Sequence, residues 1–372
     1  MPVLIDAQLR QAAAQYLELA ARTPADRMPR SYEAKADKSV HSGTDWWTSG
    51  FYPGTLWMLY GYTRDERLRA EAERRLAILE KEKHFTGNHD IGFMIFNSFG
   101  NAYRLTGDER YRKVMETAAE TATTRYRPAI GAIQSWDASK DFRAPVIIDN
   151  LMNLELLLWA SAEGGDARYR EIALRHADTT LAQHYRPDCS SYHVVDFDPD
   201  TGKVLRRRTW QGAADDSAWA RGQGWGLYGY TMLYRQTRDP RYLEQARCIA
   251  GFLLDHPRLP ADGVPYWDFD APEIPDAPRD ASAGALIASA LLELGQYVDA
   301  EARKRYVGAA EDALRSLSAP PYRAEPGSNG GFLLRHSVGS LPHDSEVDVP
   351  LTYADYYYVE ALLRYRNWYL ER

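Results

Sequence analysis

LYGYTRDERL (59–68) returns, with small changes, as AYRLTGDERY (102–111), ASAEGGDARY (160–169), YRQTRDPRY (234–242) and, in degraded form, LGQYVDAEARKRY (294–306). In each copy an apolar run ends in a polar turn that holds an aspartate, and a Tyr or Leu opens the next run. An aspartate at a helix start accepts hydrogen bonds from the free N–H groups of the first turn. Each copy therefore predicts a tight αα-hairpin. The spacing of the copies is too irregular for a short-period solenoid.

Working outward from the turns gives twelve helices with period-3.6 patterning. The segments after the turns are charged and amphipathic: 66–82, 109–125, 167–184, 240–255 and 301–316, with 6–22 as the first of the kind. Those before the turns are more apolar and richer in small residues: 51–62, 92–105, 150–162, 222–237 and 281–297, with 353–369 as the last. Strict alternation of the two kinds predicts an inner ring wrapped by an outer ring. The expected fold is all-α, an (α/α)6 toroid built as a single domain over residues 1–372.

The connections from outer to inner helices are long: 23–49, 83–91, 126–148, 185–221, 256–280 and 317–352. A closed ring brings them all to one end, and long ordered loops in a compact domain usually carry function. Trp46, Trp47, Trp136, Trp210, Trp219, Trp225 and Trp267 lie in these connections or in the first turn after them, out of ten tryptophans in the chain. That distribution predicts an aromatic pocket suited to a carbohydrate. YHVVDFDPDTGKVLRRRTWQG (192–212) has two alternating β-prone runs around Pro199-Asp200-Thr201-Gly202 and predicts a β-hairpin over the pocket mouth.

Composition narrows the partners. A net charge of −7 argues against nucleic acid, which calls for a basic surface. No apolar run is long enough for a membrane helix. The first twenty residues read as an amphipathic helix, not a signal peptide. Cys189 and Cys248 give no disulfide framework. Together these features predict a cytoplasmic protein. No paired HxxxH or HExxH spacing occurs, so neither a metal nor a cofactor is expected.

Two carboxylates stand at loop-to-inner-helix junctions: Asp90 in GNHDIGFMIFNSFG and Asp149 in APVIIDNLMNLELLLWA. Either alone reads as an N-cap. Together they predict a carboxylate pair at the pocket floor, with apolar neighbours that would raise the pKa of Asp149. The cluster DDSAWARGQGWGLYGY (215–230) offers Trp219, Arg221 and Trp225. Arg221 is equally a carboxylate-binding group and a structural partner for Asp215 or Asp216. His89 precedes Asp90, and His193 lies on the hairpin. Arg206-Arg207-Arg208 reads as a solvated strand face or, less readily, as a contact for acidic groups along a ligand.

DWWTSGFYPGTLWMLY (45–60), HDIGFMIFNSFGNAYRLTGD (89–108), IIDNLMNLELLLWAS (147–161), DDSAWARGQGWGLYGY (215–230), RDASAGALIASALLEL (279–294) and HSVGSLPHDSEVDVPLTYADYYYVEALLR (336–364) together resemble the unsaturated glucuronyl hydrolases, glycoside hydrolase family 88. The resemblance covers most of the chain and implies an (α/α)6 fold. It implies Asp149 as the acid and base of the reaction and Asp90 as its support. It also implies that Trp47, Trp136, Trp219 and Trp225 shape and stack on the sugar, and that His193, Gln211 and Arg221 contact the uronate and its water. His89 joins them as an expected substrate contact. The implied substrate is an oligosaccharide that ends in a 4,5-unsaturated uronic acid. The rival readings are an unsaturated rhamnogalacturonyl hydrolase, an ordinary inverting glycosidase on the same fold, and a non-catalytic glycan-binding toroid.

Overall fold

The turn aspartates act as the turn sequence predicts. In the computed structural model of the chain, which describes residues 1–370, Asp65, Asp108, Asp166, Asp239 and Asp299 each accept a backbone N–H of the helix they open. In the first four the arginine two residues on folds back to the same carboxylate. That double use of one aspartate explains the recurring Asp-x-Arg of the turns.

Among the described residues twelve α-helices alternate in the expected order: α1 (Pro2–Arg22), α2 (Phe51–Thr63), α3 (Glu66–Leu79), α4 (Asn101–Thr106), α5 (Glu109–Thr123), α6 (Leu154–Ala162), α7 (Ala167–Gln183), α8 (Ala220–Thr237), α9 (Pro240–Asp255), α10 (Ala281–Leu294), α11 (Ala300–Leu317) and α12 (Thr352–Tyr365). Two even helices start later than their patterns suggest. A π-helical stretch, Gly92–Gly100, leads into α4, and a 3-10 turn, Ile148–Asn153, leads into α6. The apolar pattern cannot separate these from α-helix, because only the hydrogen-bond step differs.

Burial separates the two sets of helices. Every residue of α10 is buried, whereas α11 buries only Tyr306, Ala310, Ala313, Leu314 and Leu317, one stripe at helical spacing. Each even helix, taken with its lead-in, touches the next, and α12 returns to touch α2. Glycines set the close approach. A Cβ on Gly224 would sit 2.8 Å from Leu286 Cδ2 of α10, and one on Gly229 2.6 Å from Leu151 Cβ. Short turns join each even helix to the following odd one, so the even helices run the same way. Their N-termini share the end that carries the long connections.

Those connections hold more β-structure than the single hairpin expected. The strands are β1 (Met28–Glu33), β2 (Lys38–Ser42), β3 (Tyr126–Arg127), β4 (Ala132–Ile133), β5 (Pro145–Ile147), β6 (Val194–Phe197), β7 (Val204–Arg208), β8 (Ser337–Ser340) and β9 (Ser345–Val349). The expected hairpin is β6–β7, and β5 adds to it as a third strand. The β1–β2, β3–β4 and β8–β9 pairs escape a period-2 search because they are short or irregularly buried. The burial pattern of β1 is two in, one half, two in, one out.

Cys189 and Cys248 are joined as a disulfide, with Cα atoms 5.8 Å apart. This corrects the expectation of no disulfide: 59 residues separate the pair in sequence, and only the docking of the 186–191 turn on α9 brings them together. Closing a loop of that length stabilises by about 4 kcal/mol in the chain-entropy picture. Reduction is therefore expected to lower Tm by about 5 °C, read in thermal melts with and without dithiothreitol. An unchanged Tm, with two titratable thiols in the unreduced denatured chain, would rule the bridge out. Among the described residues no helix is long and apolar enough to cross a membrane.

Candidate active site

Asp149 follows β5 and sits in the first turn of the 3-10 lead-in to α6. Its position is fixed from several sides. The Ile148 N–H donates to the His193 carbonyl at 3.1 Å, one step beyond the Ile147–Val194 pair of the β5–β6 ladder. Asn150 Nδ2 donates to the Ile133 carbonyl. Asp90 lies just ahead of the π-helical lead-in to α4, where its carbonyl accepts the Met94 N–H. Ser135 holds both approaches: its carbonyl accepts the His89 N–H, and its hydroxyl accepts the Ile147 N–H. Asn153 adds a second tie, accepting the Phe93 N–H with Oδ1 and facing His89 Nδ1 at 3.4 Å with Nδ2.

Neither carboxylate caps its helix. The N-cap positions of the π-helical and 3-10 lead-ins are Ile91 and Ile147, not the two aspartates, in contrast to the turn aspartates. Asp149 Oδ2 is buried and has no hydrogen-bond partner in the protein. The capping reading thus fails at the two positions where a reaction is expected and holds at the five where it is not.

A neutral imidazole faces each carboxylate. His193 Nδ1 accepts the Trp210 and Gln211 backbone N–H groups at 3.2 and 3.1 Å. Those contacts assign the ring proton to Nε2, which lies 3.6 Å from Asp149 Oδ2. His89 Nε2 lies 3.5 Å from Asp90 Oδ1. Burial pushes His89 down to about 3 and His193 well below its ordinary value, so both rings stay uncharged at neutral pH.

Burial moves the two acids the other way. Asp149 is 8% exposed. Desolvation raises it to about 7, against the pull of Arg221, its own backbone N–H and the Trp225 indole. Desolvation and the charge of Asp149 raise Asp90 to about 8, against Arg125. Two buried carboxyls that repel each other when both are ionised behave as a pair that keeps a proton near neutral pH.

The cavity above them measures about 180 Å³ and is lined by Trp47, Asn88, His89, Asp90, Trp136, Ile147, Asp149, Gln211 and Arg221. Drug-sized ligands occupy roughly 300–1,000 Å³, so this space suits one sugar ring. It opens where the even helices begin, and the positive ends of helix dipoles favour an anion there. Arg221, 1% exposed, adds a fixed charge. Trp136 leads out to Trp210, 43% exposed, which stacks on His343 with ring centres 4.6 Å apart.

Seven of the expected site residues other than Asp149 therefore sort clearly. Trp47, His89, Asp90, Trp136, Gln211 and Arg221 line the cavity, and His193 stands directly behind Asp149. Two readings need correction. Trp219 and Trp225 are 3% and 0% exposed and do not line the cavity, so neither presents a face to a sugar. Trp219 stacks on His193 at 4.5 Å, and Trp225 packs on Phe93 and Tyr357. Tryptophans so close to the helix start are drawn into the wall by its packing. Arg221 pairs with Asp280 at 2.9 Å, not with Asp215 or Asp216. Sequence proximity misled there, because α10 begins beside α8 in space. Sequence reasoning also missed Asn88, Ser135, Asn153 and Asp280; only the RDASAGA segment gave a hint of the last.

Fold and site together define a carbohydrate-active class of protein: a one-ring, anion-accepting pocket beside a pair of acids at the N-terminal ends of a helical ring. The chain belongs to Glycosyl Hydrolase Family 88, matched over residues 20–369. It is 46% identical to a solved unsaturated glucuronyl hydrolase specific for heparin, with a TM-score of 0.95 over 99% of this chain and 98% of that one. It is 44% identical to an unsaturated glucuronyl hydrolase of Formosa agariphila over 92% of this chain and 86% of the relative. A third, the unsaturated glucuronyl hydrolase of Bacillus sp. strain GL1, is 38% identical over 91% of each chain.

Proposed function

We propose that this single-domain (α/α)6 toroid removes a 4,5-unsaturated uronic acid from the non-reducing end of a lyase-generated oligosaccharide, with Asp149 as acid and base. The chain is a glycoside hydrolase acting on unsaturated uronyl oligosaccharides. The observation that carries the mechanism is the Asp149–Asp90 pair, Asp149 buried and Asp90 nearly so, in the wall of a cavity the size of one sugar ring. Such a cavity admits a chain end and excludes a chain interior.

The substrate's C4=C5 bond is a vinyl ether conjugated to a carboxylate. Asp149 gives its proton to C4, and positive charge develops at C5 and the ring oxygen. Water then adds to C5 and returns a proton to the Asp149 carboxylate. The C5 hemiketal opens to a ketone, and the exposed C1 hemiacetal releases the alcohol of the next sugar. The sum is one water consumed and one glycosidic bond broken, with no nucleophile at C1 and no need for the carboxylate spacings of ordinary glycosidases.

The remaining residues serve this sequence. Arg221 and the helix N-termini hold the uronate carboxylate. Once that carboxylate sits near Arg221, the cation's pull on Asp149 is offset and the proton rests on Asp149. With substrate bound and the proton on Asp149, Asp90 carries the negative charge of the pair and stabilises the cation at C5. His193 Nε2–H steadies Asp149 after proton loss, and His89 does the same for Asp90. Trp47 and Trp136 present aromatic surface to the ring, while Trp219 and Trp225 support the wall, and Gln211 faces the water. The cytoplasmic expectation rested in part on the absence of a disulfide framework, and the Cys189–Cys248 bridge removes that one support, since disulfides persist in oxidising compartments.

Incubation with unsaturated disaccharides from chondroitin or heparin lyase digests is expected to remove the alkene's ultraviolet absorbance, while saturated uronyl disaccharides stay intact. Turnover should fall as pH rises through about 7, where Asp149 loses its proton. Cleavage of saturated disaccharides alone, or binding without turnover, would overturn the reading.

A further inference from the structure

Asp280 is the buried group at the site whose use is unexplained. It is 0% exposed and holds three elements at once. Oδ1 accepts the Ser282 N–H and hydroxyl at the start of α10, and the Val338 N–H of β8 at 3.4 Å. Oδ2 accepts Arg221 Nη1 at 2.9 Å. A helix cap alone needs only the first of these contacts.

Arg221 continues the chain. Nη1 and Nη2 donate to the Val338 and Gly339 carbonyls at 2.5 and 2.6 Å. The guanidinium lies over the Trp219 and Tyr353 rings, and Nε has no partner in the protein. Gln211 Nε2 donates to the same Gly339 carbonyl. The β8–β9 hairpin held by these bonds is strained. His336, Asp344, Glu346 and Asp348 all have φ between 48 and 61°, a region that non-glycine residues occupy only when surrounding contacts hold them there. His336–Asp348 and Arg30–Glu346 contacts, each at 2.6 Å, brace its far side.

We propose that Asp280 is a positioning residue for the reaction: through Arg221 it fixes the cationic group of the cavity wall and the hairpin beside it, and keeps that cation off Asp149. Arg221 is the permanently charged side chain among the residues lining the cavity. Two buried carboxylates compete for it, Asp280 by direct contact and Asp149 across the cavity. Asp149 is otherwise faced by neutral His193 just ahead of β6, by Asp90 and His89 ahead of α4, and by the Trp225 indole of α8. With asparagine at 280, the guanidinium charge is no longer shared with a second carboxylate and acts more strongly on Asp149, favouring its ionised form.

The proposal rests on Asp149 acting as the acid, and the experiment separates the two. Wild type, Asp280→Asn and the double variant Asp280→Asn with Arg221→Gln are assayed across pH on an unsaturated chondroitin disaccharide. Turnover by wild type, lost in Asp149→Asn, tests the parent reading alone. Asparagine can still cap α10. Asp280→Asn is expected to move the alkaline limb down by about one unit, with kcat/KM at pH 7 reduced about fivefold. The double variant removes both buried charges, which proteins tolerate better than an orphaned one, and its limb should lie above that of wild type. An unmoved limb in the double variant, or in a folded Asp280→Asn that loses only Tm, overturns the proposal. Should Asp280→Asn fail to fold, the double variant decides.

Discussion

Asp149→Asn should lower kcat on unsaturated disaccharides by about 10³-fold without weakening the fold. The amide keeps the size and hydrogen-bonding shape of the carboxyl but cannot give a proton to C4. Its effect on stability has a definite sign. A carboxyl held near 7 in the folded chain and near its ordinary value in the unfolded chain binds protons more tightly when folded. Its contribution is complete below the unfolded pKa and is lost as pH rises through the folded one. Above pH 7 wild type must therefore hold a poorly solvated negative charge that the variant lacks. Thermal melts at pH 8 should give Asp149→Asn a Tm equal to or above wild type. A variant that keeps more than about a tenth of wild-type kcat would remove Asp149 from its role.

Asp90→Asn should cost about 10²-fold in kcat, with KM little changed. Two contributions add. The variant loses the negative charge that steadies the developing cation, and, in the substrate complex where the proton rests on Asp149, it loses the charge that opposes Asp149's ionisation. The second contribution has its own signature: the alkaline limb of the activity profile should move to lower pH. Burial raises Asp90 to about 8, so its ionised form also weighs on the folded chain at alkaline pH, and melts at pH 8 should show no loss of Tm. A fall in rate with the limb unmoved would leave Asp90 as a charge stabiliser only. Normal turnover would take it out of the site.

The ring of helices was legible in the sequence because it is built from local rules. The Asp-x-Arg turns report their own capping geometry, and a helix packed on all sides reads differently from one with a single buried stripe. Asp90 and Asp149 were legible as a pair for the same reason, standing at matching junctions of consecutive inner helices. What the sequence hid depends on contacts between distant segments. The partner of Arg221 is on the next inner helix, 59 residues away in a segment with no charge pattern to announce it. Ser135 ties two loops through its backbone carbonyl and a single hydroxyl, which composition does not register. The cysteines meet only because the turn ahead of His193 docks on α9. The tryptophans misled in part, because closeness to the pocket in sequence does not say which face of the wall a ring occupies: Trp136 lines the cavity, whereas Trp225, one turn into α8, is sealed behind it.

The central claim is that Asp149 delivers a proton to C4 before the glycosidic bond is lost. Turnover of an unsaturated disaccharide in D2O, followed by proton NMR from the first minutes, tests it most directly. The C4 vinyl signal is expected to disappear with the substrate, and the released sugar to carry one deuterium on a single face of C4. Release of a sugar that still holds its C4=C5 bond would contradict it.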